Sequence, residues 1–375
     1  VRRVERPRRG LHVVSAVGQD VASLDTPALL VDLDALDRNI AALAAHMREA
    51  GVAWRPHVKG IKVPAIAHRL IGAGAHGITC AKLSEAEVMA ASGLGNILIA
   101  NQVVGDAKLR RLACLRRTTD VMVAVDSAEN VRAIGAAATA TGVTLGVLVE
   151  VNIGLNRCGV EPGEATVSLA RLAHATPGIA FRGVMGWEGH TLTIARPDEK
   201  EAAVAAAVGA LTRSAAACRA AGLPAEIVSC GGSGSYRHSA RQPGVTEIEA
   251  GGAVFGDCFY RLTGAQTECA LTVLTTVTSR PAPDRVVADA GKKTMSGETA
   301  LPEPIGIGGV TRLRLAAEHA TLDLAAPVDW PRVGDKLSFT VGYGDTTVCL
   351  HDFLYGVRGG RVESVWPVLG RGKVQ

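Results

Sequence analysis

From residue 28 to about residue 255, short β-rich runs alternate with alanine-rich helical segments, and nothing else in this chain constrains its fold as much. The runs are ALLVD (from Ala28), VAWRP (Val52), GITCA (Gly77), NILIA (Asn96), DVMVAV (Asp120), LGVLVEV (Leu145), FRGVMGW (Phe181), EIVSC (Glu226) and TEIEA (Thr246). Between them lie segments such as LDRNIAALAAHMREAG and KEAAVAAAVGALTRSAAACRAAG, which combine strong helix formers with apolar spacings of three and four and stop at glycine. Repeated strand-helix units demand a parallel sheet, because each crossover returns the chain to the same end. About eight units closing on themselves give a (β/α)8 barrel, and an open doubly wound sheet is the alternative. Nine runs are one too many for the barrel, so one of them belongs elsewhere.

After about residue 264 the texture changes. LTVLTTVTSR, RVVADAG, KLSFTVG and RVESVWPVL, separated by Gly, Pro and Asp, read as an antiparallel β domain with few helices. The expected α/β architecture is a TIM-like (β/α)8 barrel over residues 26–262 and a C-terminal β domain over residues 263–375, with residues 1–25 forming a basic arm and the start of the β domain. The arm, VRRVERPRRG, lacks the apolar stretch and small-residue cleavage pattern of a secretory signal. Without aromatic residues between its charges it reads as a solvated terminus, so neither nucleic acid nor membrane is an expected partner. With 47% apolar and 20% charged residues the composition is that of a globular protein, and no uninterrupted apolar run reaches transmembrane length. The eight cysteines are scattered with no C-x-x-C pair, which points to reduced thiols and a cytoplasmic protein.

In a barrel of this kind the chemistry sits at the carboxyl ends of the strands. The second run ends in Arg55-Pro56-His57-Val58-Lys59. A lysine desolvated there favours its neutral amine, which can form a Schiff base with an aldehyde; the alternative is a lysine whose head simply reaches solvent. The run EIVSC ends in Cys230-Gly231-Gly232-Ser233-Gly234-Ser235-Tyr236, where glycines and small hydroxyl residues leave backbone N–H groups able to face an anion. It has neither the lysine of a nucleoside-triphosphate loop nor the spacing of a dinucleotide fingerprint. Gly251-Gly252 offers bare backbone at the next strand end, so the pair reads as a phosphate site or as two plain turns. In the segment Val151 to Gly159, Arg157 stands between glycines after an apolar strand, placed to hold an anionic oxygen or to make a structural ion pair. A lysine, an arginine and a phosphate loop on one rim suggest pyridoxal 5′-phosphate.

The ordered set TPALLVDLDALDRNI, RPHVKGIK, Asn-Arg-Cys-Gly, GWEGH, SCGGSGSY and EIEAGGAVFGD resembles the D-threonine aldolase and D-serine dehydratase family, fold-type III pyridoxal phosphate enzymes with an alanine racemase-like barrel. The resemblance implies that Lys59 is the Schiff-base lysine, that His57 lies beside the cofactor and that Arg157 contacts its phenolic side. Trp187 would stand near the pyridine ring, with His190 close by as a catalytic residue. Gly231, Gly232, Ser233, Gly234, Ser235 and Tyr236, with Gly251 and Gly252, would bind the phosphate. It also places ALLVD in the β domain and implies a homodimer whose partner completes the site of a small-molecule amino acid substrate. Family members carry a C-terminal His-x-Asp or His-x-Cys pair for a divalent metal such as manganese, magnesium or zinc. Here Asp345 is kept and the histidine is Tyr343, a poor ligand at neutral pH, so the metal site is altered and Tyr343 becomes a catalytic candidate. Ile61 likewise replaces the family's usual histidine. The expected activity is cleavage of a β-hydroxy D-amino acid at Cα–Cβ by a lyase of the D-threonine aldolase type. The alternatives are dehydratase-like elimination from D-serine or 3-hydroxy-D-aspartate, amino acid racemisation or epimerisation, and a non-catalytic pyridoxal phosphate carrier.

Overall fold

A computed structural model describes residues 16–375, so the basic arm VRRVERPRRG lies outside the described residues. The chain divides into two compact units. One gathers the described residues up to Arg38, Asp257–Phe259 and Glu268–Val368; the other holds Asn39–Gly256, Tyr260–Thr267 and Leu369–Gln375.

The first strand, β1 (Ala28–Asp32), leads into the helix Leu33–Ala50. Eight parallel strands follow in the second unit: β2 (Ala53–Trp54), β3 (Ile78–Cys80), β4 (Ile97–Gln102), β5 (Val121–Val125), β6 (Leu145–Glu150), β7 (Ile179–Met185), β8 (Ile227–Cys230) and β9 (Glu247–Ile248). They run in the order β2-β9-β8-β7-β6-β5-β4-β3. The two edges meet where the Thr79 N–H donates to Pro56 O (2.9 Å) and His57 bridges Thr79, which closes the sheet. One helix between strands carries punctuation at both ends. Ser127 accepts from the Asn130 N–H to cap Ala128–Thr141, and Gly142 ends that helix at φ 69°.

Alternation along the strands sorts the barrel interior. Leu98, Met122, Ala124, Leu148 and Met185 form one buried cluster, backed by Ala100 and Ile227. Arg55, Glu150, Ser229, Glu247 and Glu249 are buried polar residues of the same strands and their ends. Paired and hydrogen-bonded, they make the rest of the interior a polar network.

In the other unit, β10 (Leu271–Ala282), β11 (Arg285–Ala288), β12 (Glu303–Pro304), β13 (Val310–Leu315), β14 (Ala320–Leu324), β15 (Lys336–Thr340), β16 (Phe353–Arg358) and β17 (Arg361–Pro367) join β1 in a nine-stranded sheet. β1 pairs antiparallel with β10 and parallel with β16. Ala28, Leu30, Leu274 and Val362 anchor its core. The segment Leu369–Gln375 belongs with the barrel unit and not with the sheet that precedes it. The Gly370 N–H donates to Lys62 O (2.9 Å) and the Ser84 N–H to Gln375 O (3.0 Å).

Candidate active site

Because β2 is short, the chain beyond it is fixed by capping. His57 precedes the 3-10 turn Val58–Gly60, and its Nδ1 accepts from the Lys59 N–H at 3.3 Å. Burial, followed by the positive charges of Lys59 and Lys62, holds the His57 imidazole well below the usual histidine range, so it is neutral at neutral pH. The Lys59 ammonium lies 5.2 Å from the Trp187 ring centroid and the Arg157 guanidinium 5.3 Å from the same ring. Trp187 thus brings together two cations drawn from different strand ends. Arg157, Trp187 and Glu150 line one narrow cleft. Glu150 accepts from Gln102 Nε2 at 2.5 Å, and Arg157 Nη2 stands 3.8 Å from its other oxygen.

The glycines here are set by close approach. A Cβ on Gly232 would fall 2.8 Å from Trp187 Nε1, and one on Gly154 (φ 120°) 2.7 Å from His190 Cε1. The exposed His190 therefore lies over the Arg157 loop. A Cβ on Gly251 would run into the His57 carbonyl, which seats the Gly251-Gly252 backbone beside the Lys59 turn.

The two glycine-rich strand ends are tied together, since the Ala253 N–H donates to Ser233 Oγ at 2.8 Å. Among the described residues, the N–H groups of Ser233, Gly234, Gly251 and Gly252 have no hydrogen-bond acceptor within the chain. Ser233, whose oxygen already accepts, still has its hydroxyl proton to give. Two other candidates are placed differently. Ser235 spends its N–H on Gly232 O (3.0 Å) and its hydroxyl on Glu188 (2.6 Å). Tyr236 spends its N–H on Gly232 O (2.9 Å) and packs its ring edge-on against His46, with centroids 5.1 Å apart. Their short contacts inside the loop leave them to shape it. Lys62 pairs with the buried Glu85 (3.1 Å), His68 meets Ser92 O (2.8 Å), and Ile61 is fully buried.

The antiparallel unit holds the other candidates. Tyr343 Oη donates to Asp345 Oδ2 at 3.0 Å, and the Tyr343 ring packs edge-on against Phe259. Nearby, His351 Nε2 donates to Thr294 O (2.8 Å) and Cys349 Sγ to Thr346 O (3.3 Å).

Comparison with known proteins bears on both units. The family description "Alanine racemase, N-terminal domain" matches residues 31–258, and "Putative serine dehydratase domain" matches residues 270–357. The chain is 36% identical to a D-threonine aldolase of Arthrobacter sp. over 362 residues, 95% of each chain. It is 35% identical to a 3-hydroxy-D-aspartate aldolase of Paracoccus denitrificans over 377 residues, 97% of this chain and 96% of that one. The crystal structure of a D-threonine aldolase from Filomicrobium marinum superposes with a TM-score of 0.92 at 39% identity, covering 96% of this chain and 99% of that one. The chain belongs to the D-threonine aldolase and D-serine dehydratase-like family of pyridoxal phosphate enzymes.

The barrel fits that family's cofactor. An amine beside an indole ring, a guanidinium over the same ring, and a glycine cradle with unspent N–H donors are the groups that an aldehyde, a phenolic oxygen and a phosphate require. The family's metal does not fit in the same way. Its histidine is here a phenol that donates its proton to the neighbouring carboxylate, and among the described residues no group of three or more His, Cys, Asp or Glu side chains is arranged to hold a metal ion.

Several buried groups of the barrel leave no local signal in the sequence, and Glu249 is one with a measurable consequence. It is buried, with the Ser229 hydroxyl donating at 2.8 Å. Burial, and after it the charges of Glu247 and Glu150, push its carboxyl up to about 7. The folded chain then holds this proton more tightly than the unfolded one. The resulting stability is complete below the unfolded carboxyl value and is lost as pH rises through about 7. In urea unfolding followed by tryptophan fluorescence, Glu249→Gln is expected to match the parent near pH 4.5 and to exceed it by about 3 kcal/mol at pH 8.5. An advantage that does not change with pH would show that this carboxyl does not titrate with folding.

Proposed function

We propose that this chain is a pyridoxal phosphate-dependent lyase that cleaves a β-hydroxy D-amino acid between Cα and Cβ, releasing glycine and an aldehyde. The observation that carries the reading is likeness to aldolases across both units, joined to the cluster of Lys59, Trp187 and Arg157. Lys59 would hold the cofactor through its amine, Arg157 would face its phenolic oxygen, and the donors of Ser233, Gly234, Gly251 and Gly252 would hold its phosphate. The bound cofactor supplies an electron sink for the pair left on Cα when the bond breaks.

The rest falls to side chains. Cleavage requires a base for the β-hydroxyl proton; the O–H pair becomes the second bond of the aldehyde carbonyl, and Cα then takes a proton to give glycine. We assign the base to His190, the exposed imidazole over Gly154 beside the Arg157 loop. Tyr343, which stands in the family's metal-histidine position and donates to Asp345, is the second candidate for that role. His57, held neutral, adds no charge beside Lys59. Family likeness also supports a homodimer in which the partner completes the site. The eight free thiols support a cytoplasmic protein, and no helix among the described residues is long and apolar enough to cross a membrane.

The test is a panel of D-threonine, D-phenylserine and 3-hydroxy-D-aspartate with the full-length holoenzyme, assayed for glycine and aldehyde with added Mn2+ and with EDTA. Equimolar products in both conditions are expected. Loss of α-deuterium without either product would replace the lyase by a racemase, and complete dependence on Mn2+ would overturn the assignment of proton transfer to side chains alone.

A further inference from the structure

We infer that Glu188 is the positioning residue of the phosphate loop, deciding which of its donors turn inward and which remain for a ligand. The inference rests on the reading of Gly231 to Ser235 as the phosphate seat. Glu188 follows Trp187 at the end of β7 and has no exposed surface. Its Oε1 accepts from Ser235 Oγ at 2.6 Å and Ser239 Oγ at 2.5 Å, and its Oε2 accepts from the Gly231 N–H at 3.3 Å. Three donors on one buried carboxyl group make it the hub of the loop.

The consequence lies in the donors left over. A serine hydroxyl has one proton, and Ser235 gives its own to Glu188 while its oxygen accepts the Gly232 N–H at 3.0 Å. The Gly231 and Gly232 amides are thereby drawn to the inner side. The Ser235 and Tyr236 amides both close onto Gly232 O. What remains on this loop is the N–H of Ser233, the N–H of Gly234 and the Ser233 hydroxyl, with Gly251 and Gly252 tied alongside through Ala253. Trp187, one residue earlier, presses on Gly232 from the cofactor side. Residues 187 and 188 thus both hold the loop, Trp187 against Gly232 and Glu188 through Gly231, Ser235 and Ser239. A loop fixed before binding presents its outward donors without paying to reorder them. Without Glu188, the hydroxyls of Ser235 and Ser239 are released and the Gly231 amide is buried without an acceptor.

The experiment compares two ligands that differ only by the phosphate. Equilibrium binding of pyridoxal 5′-phosphate and of pyridoxal to the full chain is measured by absorbance and fluorescence for the parent, Glu188→Ala, Glu188→Gln and Ser239→Ala. Glu188→Ala is expected to weaken binding of the phosphorylated ligand by about 10- to 100-fold and to leave pyridoxal within about twofold. Glu188→Gln keeps an acceptor oxygen for the two hydroxyls and is expected to lose less. Ser239→Ala removes one donor from the far side of the hub and serves if Glu188→Ala does not fold; a loss of about two- to fivefold, for the phosphorylated ligand only, is expected. Equal losses for both ligands, or none for either, would overturn the role of Glu188. A parent chain that binds pyridoxal as tightly as its phosphate would instead remove the phosphate seat itself.

Discussion

In the Lys59→Ala chain, release of glycine and aldehyde from a D-β-hydroxy amino acid is expected to fall by about 10³-fold or more, and borohydride is expected to fix no cofactor to the protein. The reason is that, among the described residues, Lys59 is the amine that the site places against Trp187. Lys59 is held on a capped turn beside the Gly251-Gly252 backbone, with its ammonium against Trp187. Arg157 lies against the same ring, but a guanidinium does not give up its proton at neutral pH and cannot bond an aldehyde. Lys62, the next lysine, is engaged with Glu85 at 3.1 Å. Lys59→Arg is the sharper variant, because it keeps the charge and the cation-ring contact while removing the nucleophile. It is expected to lose as much activity as the alanine variant while still binding the cofactor reversibly through the phosphate seat. Most of the activity surviving in Lys59→Arg, or a borohydride adduct mapped to another lysine, would remove Lys59 from its role.

Much of this architecture can be read from the chain because its signal is local. Most βα units announce themselves through a short apolar run followed by a helical segment, many of them ending near a glycine, and eight parallel strands build the barrel. ALLVD carries the same local signal yet pairs with β10 and β16, far along the chain, and no window around residue 28 contains that information. The change to β texture after residue 264 is equally local, whereas the return of Leu369–Gln375 to the barrel unit depends on single contacts such as that of Gly370 with Lys62. At the site, Lys59, Arg157 and the glycine loops stand out because their residue types are unusual at strand ends. Glu188 does not, since one acidic residue in GWEGH gives no sign that it points into the protein. Its trace was the pair Ser235 and Ser239, one helical turn apart and so on one face. Arg55, Glu247 and Glu249 were hidden for a different reason: a charge on a buried strand is read as an error of assignment until its partner, from a distant strand, is known.

Arg55→Met is expected to cost about 3–5 kcal/mol of barrel stability, and the cost is expected to shrink in acid. Arg55 is almost wholly buried, with its Nε on Glu247 at 2.9 Å, its Nη1 on Asn96 Oδ1 at 2.9 Å and its Nη2 at 2.7 Å from His76 Nε2. Burial alone would raise the Glu247 carboxyl; the His76 contact and the Arg55 guanidinium outweigh that and hold it at about 2. The carboxyl therefore contributes its stability in full above the unfolded value and loses it progressively as pH falls from there through about 2, so the parent is nearly flat in this group between pH 7 and pH 5. Without Arg55 the same carboxylate is buried unpaired. Protonation then relieves it, and the gap between variant and parent is expected to narrow from pH 7 to pH 4 in urea unfolding. Adding Glu247→Leu to Arg55→Met leaves no charge behind and is expected to recover most of the loss. A cost that stays constant with pH, or a double variant no better than the single one, would mean that the arginine matters for its volume and not for its charge. The stakes reach the site, because β2 spans only Ala53–Trp54 and its ladder is short. The Arg55 N–H donates to Ile248 O and the His57 N–H to Glu249 O, both at 2.9 Å, and between those two bonds the buried guanidinium pins the segment that delivers Lys59. Activity in Arg55→Met is therefore expected to fall at temperatures where the barrel is still folded.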